Sequence, residues 1–210
     1  MIALKIVTIH QMRINFDEMN YLVLTGGWIV YFALHSLLAS DQVKQKVSRT
    51  LGSVFRYYRL FYSAFSLVGL LGLLILNGSI QSEYLFRSEG IIRYISLVAT
   101  TFGVMTIQIA FRQYKLKSFL GLVAENNELK IEGILKLVRH PIYSGIILIV
   151  IGFFLFIPNV PSLISCGCVF VYLPIGVYLE EKKLIAMFGD AYERYRETVP
   201  AIIPRVPSRH

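Results

Sequence analysis

Charge is missing from long stretches of this 210-residue chain. No Asp, Glu, Lys or Arg occurs from Asn20 to Ser40, Leu60 to Gln81, Tyr94 to Phe111 or Pro141 to Leu179. Charged residues make up 16% of the chain and hydrophobic ones 55%, whereas soluble domains carry about 25% charge. That deficit excludes an ordinary soluble domain. Cysteine is scarce too: Cys166 and Cys168 stand at i, i+2 in an apolar run. On a helix such a pair points to different faces, so neither a disulfide nor a metal site is expected. No His/Cys/carboxylate cluster has metal-ligand spacing, and no metal is expected elsewhere. The apolar stretch before His10 is too short, and lacks the small-residue cleavage site, expected of a cleavable signal peptide. Internal repeats and low-complexity segments are also absent.

What is present is length in the apolar runs. About 20 mostly apolar residues carry a helix across the hydrocarbon core. The first three runs each suit one crossing, at about Tyr21–Ala39, Phe61–Leu76 and Ile91–Phe111. The fourth holds 39 residues broken by Pro158-Asn159-Val160-Pro161, and reads as two short helices joined by a tight turn. The expected fold is all-α, an integral membrane protein with five transmembrane helices in one membrane domain over 1–210. Residues 1–111 would form a three-helix part, and 112–210 a loop, a helical hairpin and an amphipathic C-terminal helix.

A net charge of +8 raises the question of nucleic acid, but its placement points elsewhere. Of the 21 Lys and Arg residues, five lie in 40–59, six in 112–140 and six after Leu179. Only Lys5, Arg13, Arg87 and Arg93 lie elsewhere. With five crossings the three rich segments share one side, which the positive-inside rule makes cytoplasmic. The N-terminus is then outside and the C-terminus cytoplasmic, and no nucleic-acid partner is expected.

Few polar groups sit at membrane depth, where they are costly and need a partner or a task. His35-Ser36 stands near the cytoplasmic end of the first helix, either bonded to a neighbouring helix or functional. Gly69 and Gly72 in the second helix suit close packing. The most informative stretch is Arg139-His140-Pro141-Ile142-Tyr143-Ser144-Gly145. Pro141 suits the first turn of a helix, where its missing N–H costs nothing, and the free amides there can hold an anion such as a carboxylate. Gly145 would let a ligand or another helix come close. Alternatively, Arg139-His140 is an interfacial anchor. Glu180 and Glu181 emerge directly from the last apolar run, where a carboxylate needs a donor. After them Leu184, Met187, Phe188, Tyr192 and Tyr195 recur at helical spacing.

Arg139-His140-Pro141-x-Tyr143-x-Gly145, then Glu180-Glu181-x-x-Leu184-x-x-x-Phe188-Gly189-x-x-Tyr192-x-x-Tyr195 and Val199-Pro200, resembles the isoprenylcysteine carboxyl methyltransferase superfamily. His35-Ser36-Leu37-Leu38-Ala39, Lys44, Tyr58-Arg59 and Tyr62 resemble its bacterial branch, which holds methanethiol S-methyltransferase and NnrU-like proteins. The resemblance implies a methyltransferase of the bacterial inner membrane that uses S-adenosylmethionine. It implies cofactor contacts at Asn127, Glu128, Leu129 and Lys130, at Leu135 and at His140, Pro141, Ile142 and Tyr143. Glu180 and His35 are the expected catalytic residues, and Gly176, Glu180 and Glu181 the expected substrate contacts. Two departures matter: Leu135 stands where the prenylcysteine enzymes have a tyrosine, and Gly176 where they have a substrate-binding arginine. A small thiol or lipophilic acceptor is therefore expected. Two other readings are a non-catalytic NnrU-like accessory protein and an NADPH-dependent membrane reductase, whose kind shares a similar Arg-His-Pro-x-Tyr segment.

The topology is testable by cysteine-accessibility labelling of single substitutions in intact cells. Positions 46, 117 and 205 should be shielded from an impermeant reagent and position 87 labelled. Labelling of positions 87 and 117 from one side would refute five crossings.

Overall fold

In the computed structural model, which describes residues 2–113, 129 and 131–205, the regular elements are helical. The first, α1 (Ile2–Ala39), is apolar from Glu18 onward. Ser40 then caps the short basic α2 (Asp41–Leu51), its hydroxyl accepting the Val43 N–H. A 3-10 turn over Gly52–Tyr57 leads into α3 (Tyr58–Ser79), and after a far-end loop comes α4 (Gly90–Gln113). A second 3-10 turn (Gly133–Lys136) precedes α5 (Pro141–Phe156), α6 (Val160–Phe188) and α7 (Asp190–Thr198).

Among the described residues, four segments are long and apolar enough to cross a membrane: Glu18–Ala39, Val54–Ser79, Gly90–Arg112 and Val160–Phe188. The chain is a multi-pass membrane protein. Its outward faces carry the large apolar side chains that lipid tolerates, among them Leu22, Val68, Ile75, Ile91 and Val171. The last apolar run divides into two helices at 157–159, as expected, but only the first of them is short. The first of the pair, α5, has 16 residues, about 24 Å of helix against a core of about 30 Å. The second runs unbroken past Leu179 to Phe188, so Glu180 and Glu181 ride inside α6. It ends at Gly189, whose φ of +52° suits glycine because a Cβ would clash with the backbone there.

Packing uses small residues and bonded polar groups, because lipid gives little hydrophobic drive between helices. Between α4 and α5 the backbones nearly touch. A Cβ on Gly145 would lie 2.7 Å from the Gly103 carbonyl oxygen, and one on Gly152 would lie 2.1 Å from Thr100 Oγ1. Of the two partners considered for Gly145, another helix is the one found there. Towards the far end, α1, α3 and α6 share a buried knot. Trp28 Nε1 donates to Ser165 Oγ at 2.9 Å, and Ser165 donates to Asn77 Oδ1 at 2.8 Å. Leu24, Trp28, Leu73 and Ile80 pack around it. Gly69 meets the Tyr31 ring, whereas nothing lies within 4 Å of a Cβ on Gly72, so only the first serves packing. Cys166 and Cys168 are unpaired thiols, Cys166 donating weakly to the Val150 carbonyl.

The contrast between these glycines is measurable. Gly152→Ala should lower stability in detergent by about 1–3 kcal/mol through overpacking, while Gly72→Ala should be neutral or slightly stabilising through helix propensity. Thermal unfolding of the two purified variants checks this.

Candidate active site

The basic end of the bundle is built around the start of α5. Pro141 occupies its first turn, and no side chain caps it. His140, just before it, is 3% exposed. Both of its ring nitrogens face carboxylates: Nε2 is 3.2 Å from Glu181 Oε1, and Nδ1 is 3.6 Å from Glu180 Oε2. Arg139 donates to Glu181 Oε1 from Nε at 3.0 Å and from Nη2 at 2.6 Å. Its Nη1 donates to the carbonyls of Arg196, at 2.9 Å, and Val199. The tail then runs alongside the motif. Arg139 N–H donates to Pro200 O and His140 N–H to Ala201 O, both at 2.9 Å, and Ser144 Oγ donates to Ile202 O at 2.6 Å. Tyr192 is buried beside Arg139 and Glu181, its hydroxyl without a hydrogen bond of ordinary geometry among the described residues. Burial, and then the charge on Glu181, raise its phenol above the usual tyrosine range.

Adjacent on one helix, the two glutamates point apart by about 100°. Glu181 is 15% exposed and engaged by Arg139, His140 and, at 3.9 Å, Arg196. Glu180 is 45% exposed and turns toward Tyr143. The Tyr143 hydroxyl faces the Glu180 carboxylate. It rests against Gly176, where a Cβ would come within 3.0 Å of it. On the other side of α6 a groove of about 480 Å³ runs between Ile147, Leu173, Pro174 and Val177, closed at its basic end by Glu181 and Ile202.

Beyond Tyr143 lies a second polar group. His35 Nδ1 is 3.1 Å from Ser66 Oγ, and Tyr62 Oη is 2.9 Å from His35 Nε2. The Tyr31 ring stacks on His35, and Tyr172 meets it edge-on while sharing a 2.8 Å hydrogen bond with Ser36. The ends of α1 and α6 are tied together by Lys183, which donates to the Ala39 carbonyl and lies 3.8 Å from Asp41.

The structure thus gathers His140, Pro141, Ile142, Tyr143, Gly176, Glu180 and Glu181 at one end, with His35 in the second polar group. Leu135 is buried in its 3-10 turn, its carbonyl accepting the Tyr195 hydroxyl at 2.5 Å. Leu129 is half-buried, and Asn127, Glu128 and Lys130 lie outside the described residues. Tyr31, Ser66 and Tyr172 were not singled out in the sequence, although a hydroxyl in an uncharged run is itself a signal. The donor set fits S-adenosylmethionine by its chemistry. The uncapped start of α5 presents amides to a carboxylate, and the accessible Glu180 presents an acceptor to an ammonium group.

A family model described as NnrU protein matches residues 23–205. The chain belongs to the NnrU family. This NnrU-family chain is also 26% identical to methanethiol S-methyltransferase of Crocosphaera subtropica over 87% of its length and 74% of the relative's. It is 33% identical to protein-S-isoprenylcysteine O-methyltransferase of Schizosaccharomyces pombe, over 43% of the chain and 41% of that protein. Methanethiol S-methyltransferase 1 of Bradyrhizobium diazoefficiens is 28% identical over 53% of the chain and 38% of its own length. The chain therefore matches well under two thirds of the length of the last two. No solved structure gives a significant match.

In this NnrU-family chain the two glutamates should separate by stability. Glu181→Gln and Arg139→Ala each break a largely buried pair, and should cost about 3 kcal/mol. Glu180→Gln should change stability by less than about 1 kcal/mol. Thermal unfolding in detergent distinguishes them, and equal losses from Glu180→Gln and Glu181→Gln would refute the distinction.

Proposed function

We propose that this chain is a membrane methyltransferase that takes its methyl group from S-adenosylmethionine and places it on a small thiol or similar uncharged, lipophilic acceptor. The observation that carries the reading is the meeting of His140, Tyr143, Gly176 and Glu180 at the basic end. The names of the relatives support the same chemistry. In this reading α1, α3, α4, α5 and α6 all cross the membrane, with the N-terminus outside. The basic end then faces the cytoplasm of a bacterial inner membrane.

S-adenosylmethionine would supply an electrophilic methyl group on a sulfonium. The start of α5, His140 through Tyr143, would receive its carboxylate end, and the contacts that the resemblance implies at Asn127, Glu128, Leu129, Lys130 and Leu135 belong to the same reading. Glu180 would orient its charged groups. Such a transfer needs in-line approach in a site sheltered from water more than covalent help, which suits a site between helices. Acceptor choice follows from Gly176. Its neighbours Pro174, Ile175 and Val177 carry no cation, and Tyr143 fills the space beside it. An acceptor carboxylate there would lose several kcal/mol to desolvation, whereas a neutral thiol would not.

Isothermal calorimetry on the detergent-purified protein should show S-adenosylmethionine binding and none of NADPH. His140→Ala and Tyr143→Ala should each weaken it roughly tenfold, the worth of about one charge-assisted hydrogen bond. Labelled methyl should pass to methanethiol and poorly to N-acetyl-farnesylcysteine. Absence of both binding and transfer would leave a non-catalytic membrane protein as the better reading.

A further inference from the structure

We propose that α2 is an interfacial helix that binds the headgroups of anionic lipids at the basic end of the bundle. The partner is the lipid surface itself, whether or not the chain transfers methyl groups. The 40–59 segment carries Lys44, Lys46, Arg49, Arg56 and Arg59 against a single acid, Asp41. That one carboxylate is shared, lying 3.6 Å from Lys44 Nζ and 3.8 Å from Lys183 Nζ. Lys46, Arg49 and Arg56 are exposed and have no carboxylate partner among the described residues. Arg56 lies instead over the Tyr57 ring, 4.7 Å from its centroid.

The same helix pairs this charge with an apolar stripe. Val43, Val47 and Leu51 recur every four residues, so they share one face. At about 100° per residue, Lys44 and Lys46 fall on either side of that stripe and Arg49 opposite it. No residue of α2 is buried; Val43 and Val47 are half-buried, and Leu51 is 47% exposed. Exposed apolar side chains continue at Val54, Tyr57, Leu60 and Phe61, into the crossing that starts at Val54. The lipid-facing surface of α3 therefore begins where the stripe of α2 ends. Lysines flanking an apolar stripe suit a helix lying at the membrane boundary, their stems over hydrocarbon and their ammonium groups among headgroups.

Both ends of α2 are tied to membrane crossings. Only Ser40 separates it from α1, and the Ser40 hydroxyl caps it. At the other end Gly52, with a φ of +50°, turns the chain into the 3-10 turn before α3. Lys183 fastens its start to α6, donating to the Ala39 carbonyl and meeting Asp41. A nucleic acid or an acidic protein would satisfy the cations and leave the valine and leucine stripe uncovered. An anionic lipid surface meets both, and its attraction for lysine and arginine fades with salt.

The test is hydrogen exchange, read by mass spectrometry, on the full chain in lipid nanodiscs. The discs hold phosphatidylcholine alone or an equal mixture with phosphatidylglycerol. Wild type is compared with a Lys46→Gln, Arg49→Gln, Arg56→Gln variant and with a charge-keeping Lys46→Arg, Arg49→Lys, Arg56→Lys variant. In wild type the α2 amides should exchange at least about fivefold more slowly in the anionic discs, the worth of about one basic residue at such a surface. High salt should remove the difference, the glutamine variant should lack it and the charge-keeping variant should retain it. The loop at 80–89 should exchange alike in both discs. Equal α2 exchange in the two lipids would overturn the proposal, and slow exchange in both would point to another part of the chain over the stripe. A difference that survives the glutamine substitutions would overturn it as well.

Discussion

One guanidinium governs the basic end of this protein. Arg139 is fixed by Glu181 on α6 and by two carbonyls of the segment around α7, so two parts of the chain distant from it in sequence converge on it. The cost of holding a nearly buried cation is offset by its several charge-assisted bonds. Because Arg139 immediately precedes His140 and Pro141, the same contacts set where α5 begins. The tail pairs with the backbone of residues 139 and 140, just before the start of a helix that no side chain caps.

From this clamp follows a division of labour around α6. The Glu181 side is closed by Arg139, His140 and Arg196 and faces an apolar groove. The Glu180 side faces Tyr143, whose hydroxyl rests against Gly176. Gly176, with no side chain, lets Tyr143 rest directly against the α6 backbone. Any larger residue would have to displace the Tyr143 hydroxyl, so the choice of glycine shapes the site as directly as the charged residues do.

Elsewhere the fold relies on close approach. Glycine contacts bring α4 against α5, and a hydrogen-bonded knot of Trp28, Ser165, Asn77 and Ser162 joins α1, α3 and α6. The knot satisfies its polar groups without water, which the hydrocarbon core requires. They hold the frame on which His35 and Glu180 sit while their surroundings stay partly open.

Membrane class and helical fold were legible in the sequence, because uncharged runs of about 20 residues have few other uses. So was the start of α5, since Pro141 at the first turn marks itself. The His140–Tyr143 motif and the glutamate pair could be read as a likeness, yet their partners could not. Helical periodicity says which residues share a face of one helix, and nothing about which helix lies opposite. Arg139 with Glu181, Tyr143 with Gly176, and His35 with Tyr62 and Ser66 are each pairings between helices. They depend on crossing angles and backbone separations set by the glycine contacts and polar knots. The residue types were in the sequence; the tertiary structure alone decided their neighbours.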